Sequence, residues 1–175
     1  GVARHLTDAG LTRGAAVAIL SANRAEYLAA YFGIMRAGFV AVPINTKVAQ
    51  DTIDYVFDDA KIAFAFTDDA RRAQVPAGIP VIDFDDEGPG GFVATIAPTD
   101  FTTVTAGAEE IAQVLYTSGS TGRPKGVPLT HSGQLWALAS ATAATVPGTE
   151  RSIVAQPLFH MNGLFQSKTV FAGHH

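Results

Sequence analysis

Apolar and polar positions alternate along this chain in two rhythms. The continuous apolar run Ala16-Val17-Ala18-Ile19-Leu20 suits a strand buried on both faces, and Phe39 to Ile44, Ile62 to Phe66 and Ile111 to Thr117 read as further strands. Between them the apolar spacing becomes helical. Tyr27, Leu28, Tyr31, Phe32 and Met35 mark a helix from Arg24 to Ala37, with Ser21-Ala22-Asn23 as its cap and Gly38 as its stop. A first helix spans Val2 to Ala9 and stops at Gly10. Asp51 or Thr52 caps another through Asp58, with Ile53, Val56 and Phe57 on one face. Asp68 to Val75 reads as a weak helix and Val81 to Phe84 as a short strand. Residues 85–108 carry turn chemistry and a Thr-rich tract, so they read as a surface connector with room for one short strand. A helix from Ser132 to Ala144 presents Leu135 and Leu138 on an apolar face with Trp136 in the core, and Ser152 to Gln156 reads as a further strand. This alternation predicts an α/β fold, a mainly parallel sheet flanked by helices.

Composition narrows the classes. The 175 residues include 12 Lys plus Arg and 16 Asp plus Glu, a formal net charge of −4. At 47% hydrophobic the chain is too apolar to be disordered, and its mild acidity argues against a nucleic-acid binder. The charged fraction, 16%, falls below the usual level of about 25%. The absence of cysteine excludes disulfides, thiolate zinc sites and a cysteine nucleophile. The most apolar stretch, Tyr27 to Ile44, is broken by Arg36 and Pro43, where a membrane span needs roughly 20 mostly apolar residues. Without a signal-peptide pattern the chain reads as soluble and cytoplasmic. The five histidines lack paired ligand spacing, which predicts no metal site of their own, and His174-His175 resemble a tag remnant.

The densest chemistry lies in Tyr116-Thr117-Ser118-Gly119-Ser120-Thr121-Gly122-Arg123-Pro124-Lys125-Gly126-Val127. Its glycines permit positive φ and close backbone approach to a ligand. Its hydroxyls, backbone N–H groups and Lys125 make a donor-rich concavity suited to phosphate, where each hydrogen bond to a charged group is worth about 1.5–3 kcal/mol. The spacing fits neither G-x-x-x-x-G-K-[ST] nor G-x-G-x-x-G, and neither serine sits in a nucleophile elbow. Pro124 resists helix, so the loop should lead into an extended segment, Gly126 to Leu129.

Thr117 to Val127 resembles the signature loop of the adenylate-forming superfamily, the acyl-CoA synthetases and other AMP-dependent synthetases and ligases. Pro157-Leu158-Phe159-His160-Met161-Asn162-Gly163, Leu20 to Asn23 and Gly33 to Asn45 resemble further elements of that family, so the likeness covers essentially the whole chain. The resemblance implies ATP-dependent activation of a small carboxylic acid, with Mg²⁺ accompanying ATP and coenzyme A as acyl acceptor. It implies that Thr117, Ser118, Gly119, Ser120, Thr121, Gly122 and Lys125 hold ATP phosphates. It places His160, with Phe159, at the acid pocket, and His131 reads as a helix start. No Tyr-Gly-x-Thr-Glu element follows, nor the family's ribose aspartate, hinge or C-terminal lysine. The expectation is an N-terminal portion of the family's large domain: residues 1–84 of helix/strand alternation, a loop at 85–108 and a phosphate-loop region at 109–175, without the C-terminal domain. Such a piece is expected to be inactive alone and to expose apolar surface that invites self-association. A peptide-synthetase-like adenylation domain and a non-catalytic phosphate-binding module are the alternatives.

Overall fold

A computed structural model describes residues 1–117, 122–142 and 153–173. Six strands form one sheet in the order β4-β3-β1-β2-β5-β6. They are β1 (Ala16–Leu20), β2 (Val40–Pro43), β3 (Ile62–Thr67), β4 (Val81–Asp83), β5 (Ile111–Thr117) and β6 (Lys125–Thr130). The first five are mutually parallel, and β6 turns back antiparallel to β5. The helices are α1 (Val2–Asp8), α2 (Ala25–Arg36), α3 (Gln50–Asp59), the short α4 (Phe92–Thr95), α5 (His131–Thr142) and α6 (Met161–Gly173), with a 3-10 turn at Asp69–Gln74.

The apolar run of β1 serves two cores because successive side chains alternate faces. Val17 and Ile19 join α1, α2, Phe64 and Phe66 in one core; Ala18 and Leu20 join α3, Val42 and Ala65 in the other. Helix α2 therefore covers one face and α3 the opposite face. The loops leaving the neighbouring strands β1 and β2 diverge at their carboxyl ends, and in such sheets ligands bind in that crevice.

Several local expectations change in three dimensions. The N-cap of α2 is Arg24, with no side-chain cap bond, because Ser21 and Asn23 bond to distant segments. The N-cap of α3 is Ala49 rather than Asp51 or Thr52. Trp136 is not in the core: it is 74% exposed. Residues 153–156 form no strand, and Ser152 lies outside the described residues. Helix α5 starts at His131 as read, while Ala143 and Ala144 lie outside the described residues. Helix α6 follows the histidine segment, where no helix was expected.

The 85–108 connector contains no strand and one helical turn, α4. Phe92 of that turn packs on Phe84 and Phe66, with ring centroids 5.0 and 6.1 Å away. Three arginines staple the remainder to the body. Arg4 donates to the Asp100 carbonyl at 3.1 Å, Arg36 to that of Phe101 at 2.6 Å and Arg13 to that of Thr105 at 2.8 Å. Arg13 also grips Glu110 through both carboxylate oxygens, at 3.0 and 2.7 Å.

Candidate functional site

The glycine-rich stretch bridges the β5–β6 hairpin. Thr117 ends β5 and Lys125 opens β6, and the two face each other in register. Ser118, Gly119, Ser120 and Thr121 lie outside the described residues. The expected extended segment is β6, and Pro124 just before it keeps the exit from the loop non-helical. Gly122 has φ +89° with nothing near its missing Cβ, so only glycine takes this turn without strain.

Thr117, Gly122 and Lys125 are all exposed. Lys125 forms no ion pair among the described residues. Thr117, Gly122 and Pro124 share a cavity of about 220 Å³ with Asn45 and Thr52, and no carboxylate lines it. An exposed hydroxyl, a left-handed glycine backbone and an ammonium without an ion pair among the described residues, at a hairpin turn, fit a polyanion. Among the described residues no three His, Cys, Asp or Glu side chains converge on a metal position.

Both flanks of the loop are moored to α3. Tyr116 donates to Asp59 Oδ2 at 2.6 Å, and Tyr55 donates to Asp59 Oδ1 at 3.2 Å. The Arg123 guanidinium lies 5.3 Å from the centre of the Tyr55 ring. Burial and the bond to Asp59 push the Tyr116 phenol well above its ordinary range, so it remains a donor. A Cβ on Gly126 would come within 3.2 Å of the Tyr116 ring, so this glycine lets the ring pass close to β6.

The histidine segment sits at the same edge of the sheet, against the end of β1. Leu158 and Phe159 are buried, while His160 is exposed with its ring 4.7 Å from that of Phe159. The His160 N–H donates to the Pro157 carbonyl at 3.1 Å, forming the turn that starts α6. A Cβ on Gly163 would collide with the Pro157 carbonyl oxygen and stand 3.0 Å from that of Gln156. β1 and β5 are two places apart in the sheet, so their ends lie about 10 Å apart. The glycine-rich loop and His160 thus share one edge without touching through any described contact.

Two features here were illegible in the sequence. Asn23 uses both ends of its amide on the histidine segment: Nδ2 donates to the Gln156 carbonyl and Oδ1 accepts from the Leu158 N–H, each at 2.8 Å. Asp68, just after β3, seats the loop that carries Asn23. Its Oδ2 accepts from Ser21 Oγ at 3.0 Å, the Ala22 N–H at 2.8 Å and Arg71 Nη1 at 2.7 Å. Desolvation pulls the Asp68 carboxyl upward, but these donors together outweigh it and hold it below its ordinary range.

A sequence model of the family described as "AMP-binding enzyme" matches residues 1–174. The chain belongs to the AMP-binding enzymes. Among relatives of this family, a 2-succinylbenzoate–CoA ligase of Bacillus cereus is 32% identical over 165 residues, which cover 93% of this chain and 32% of the relative. The chain therefore spans about a third of the length of the curated relatives it matches. ATP-bound MatB from Rhodopseudomonas palustris superposes with a TM-score of 0.87 at 30% identity, covering 98% of this chain and 36% of that one. O-succinylbenzoate coenzyme A synthetase (MenE) from Bacillus subtilis, in complex with ATP and a magnesium ion, superposes with a TM-score of 0.82 at 26% identity. That match covers 99% of this chain and 46% of MenE. Among the described residues of this AMP-binding chain, no helix is long and apolar enough to cross a membrane.

Proposed function

We propose that the intact protein is an ATP-dependent carboxylic acid–CoA ligase, and that this chain contributes the front portion of its large domain, carrying the phosphate loop. The observation that carries the reading is the β5–β6 hairpin. Its turn brings an exposed Thr117, the left-handed Gly122 and a Lys125 with no ion pair among the described residues to the carboxyl edge of the sheet. Membership of the AMP-binding enzymes and the CoA-ligase names of relatives support the same chemistry.

In this reading Thr117, Ser118, Gly119, Ser120, Thr121, Gly122 and Lys125 hold the ATP phosphates. Their work is positioning and charge stabilisation, as expected where backbone and side-chain donors face transferring phosphoryl oxygens. Lys125 neutralises charge, and the mooring of Tyr116 and Arg123 to α3 fixes where the loop stands. Mg²⁺ travels with the triphosphate, since it binds mainly through phosphate oxygens and water. Phe159 and His160 border the acid, with coenzyme A as the later acceptor. The chain alone neither forms acyl-adenylate nor binds ATP with micromolar affinity. Leu135 and Phe171, 65% and 59% exposed, line a cavity of about 570 Å³ between α2, α5 and α6, and self-association of the isolated chain uses this face.

The test is pyrophosphate release by the full-length protein across a panel of aliphatic, aromatic and dicarboxylic acids. Lys125→Ala is expected to lower kcat/KM by roughly 10–100-fold, about 1–3 kcal/mol of transition-state stabilisation. Unchanged kinetics in that variant would refute the assignment of the loop.

A further inference from the structure

We infer that Asn23 is a positioning residue for the acid side of the site, holding the segment that presents Phe159 and His160. The inference rests on the acid-pocket reading given above for its functional consequence, but its geometry stands independently. Asn23 follows β1 by three residues and reaches across to residues 156 and 158, 133 and 135 positions later in the chain. Its amide offers one donor and one acceptor to the groups flanking Pro157, as a neighbouring strand would. Pro157 has no N–H of its own, so the flanking Leu158 N–H and Gln156 carbonyl are the groups a partner can use.

The base of this clamp is rigid. Leu20 is fully buried, and its carbonyl accepts from Thr67 Oγ1 at 3.0 Å. Ser21 and Ala22 are both bonded to Asp68. Three consecutive residues before Asn23 are therefore tied to the end of β3. Beyond the clamp, the segment is closed by the His160 turn onto Pro157 and by the close passage of Gly163 under the same carbonyl. His160 is thus suspended between two fixed points, one on the loop after β1 and one on α6. Few side chains replace this arrangement. Aspartate keeps the acceptor for Leu158 but loses the donor to Gln156, and alanine loses both.

The experiment uses the full-length protein with Asn23→Ala and the near-isosteric Asn23→Asp. Hydrogen exchange at the Leu158 amide is expected to accelerate about 10–30-fold in the alanine variant and much less in the aspartate variant, with the β1 amides unchanged. In pyrophosphate-release kinetics, KM for the acid is expected to rise at least five-fold in Asn23→Ala while KM for ATP moves less than two-fold. The aspartate variant should fall between alanine and wild type. Unaltered Leu158 exchange in both variants overturns the clamp, as does an equal rise in both KM values. A wild-type protein that releases no pyrophosphate with any acid defeats the ligase reading instead, and the exchange measurement still decides whether Asn23 holds the segment.

Discussion

Replacing Asp68 by alanine isolates the contribution of the seat beneath the Asn23 loop. Asp68 is 5% exposed, and its Oδ2 accepts three hydrogen bonds. The three are not equal in consequence. Arg71 is partly exposed and returns to water, so its ion pair counts for at most about 1 kcal/mol. The Ser21 hydroxyl already lies 3.1 Å from the Ala22 carbonyl and can turn to it. Ala22 is exposed, so its N–H turns to water, and what is lost is the net worth of a part-buried hydrogen bond to a charged group, about 1.5 kcal/mol. Against these losses, Asp68 Oδ1 is buried without a partner among the described residues, so its removal relieves a standing cost. The sum is a loss of about 2 kcal/mol, appreciable beside the roughly 5–15 kcal/mol that holds a typical domain together. Urea denaturation at pH 7 measures it. The sign with pH follows from the depressed carboxyl. The stabilisation is complete above the unfolded value of about 3.9 and disappears as pH falls through the lower folded value. The gap between wild type and Asp68→Ala should therefore close below about pH 4. A loss at pH 7 under about 0.5 kcal/mol, or a gap that stays constant down to pH 3, would refute this accounting.

Gly163→Ala should destabilise by about 1–3 kcal/mol, since its Cβ meets the backbone of Pro157 and not a flexible side chain; thermal unfolding gives the answer, and an unshifted Tm would mean that the segment yields. Lys168 on α6 lies 5.1 Å from the centre of the Tyr31 ring, hydrogen-bonds to Gln134 and is lowered by burial to about 8. Because the unfolded chain still holds that proton up to about pH 10, stability should rise between about pH 8 and pH 10. Lys168→Met should abolish the rise, and a variant that keeps it would assign the effect elsewhere.

The two-faced burial of β1 was legible because continuous apolar runs in α/β chains report strands covered on both sides. The hairpin exit was legible from Pro124 alone. What failed has three physical origins. Ser21 and Asn23 carry cap chemistry, but their partners lie 47 and 133 residues away, and local patterning does not register such distances. Trp136 reads as core by residue type, yet α5 turns it outward. Helix α6 escaped because a glycine near its start weakens helix propensity; in the folded chain that glycine is what fits under Pro157. For the candidate site, Thr117, Gly122 and Lys125 came directly from the loop, whereas Asp59 and Asn23 required the fold.

The arginine-stapled connector also bears on the order in which the molecule assembles. β1 to β4 pair within a continuous stretch of chain, while β5 joins β2 through Ala41 and Gln113 across the whole connector. Closing that gap costs more entropy than any β1–β4 crossover, and such long-range pairings come late in folding. Arg4, Arg13 and Arg36 all belong to segments that precede β2, so their grip on residues 100–110 shortens the search once α1 and α2 are in place. The hairpin bearing the glycine-rich loop is then the last part of the sheet to dock. Pulse-labelled hydrogen exchange during refolding should protect the β1 amides ahead of those of β5, and simultaneous protection would mean that the sheet forms in a single step.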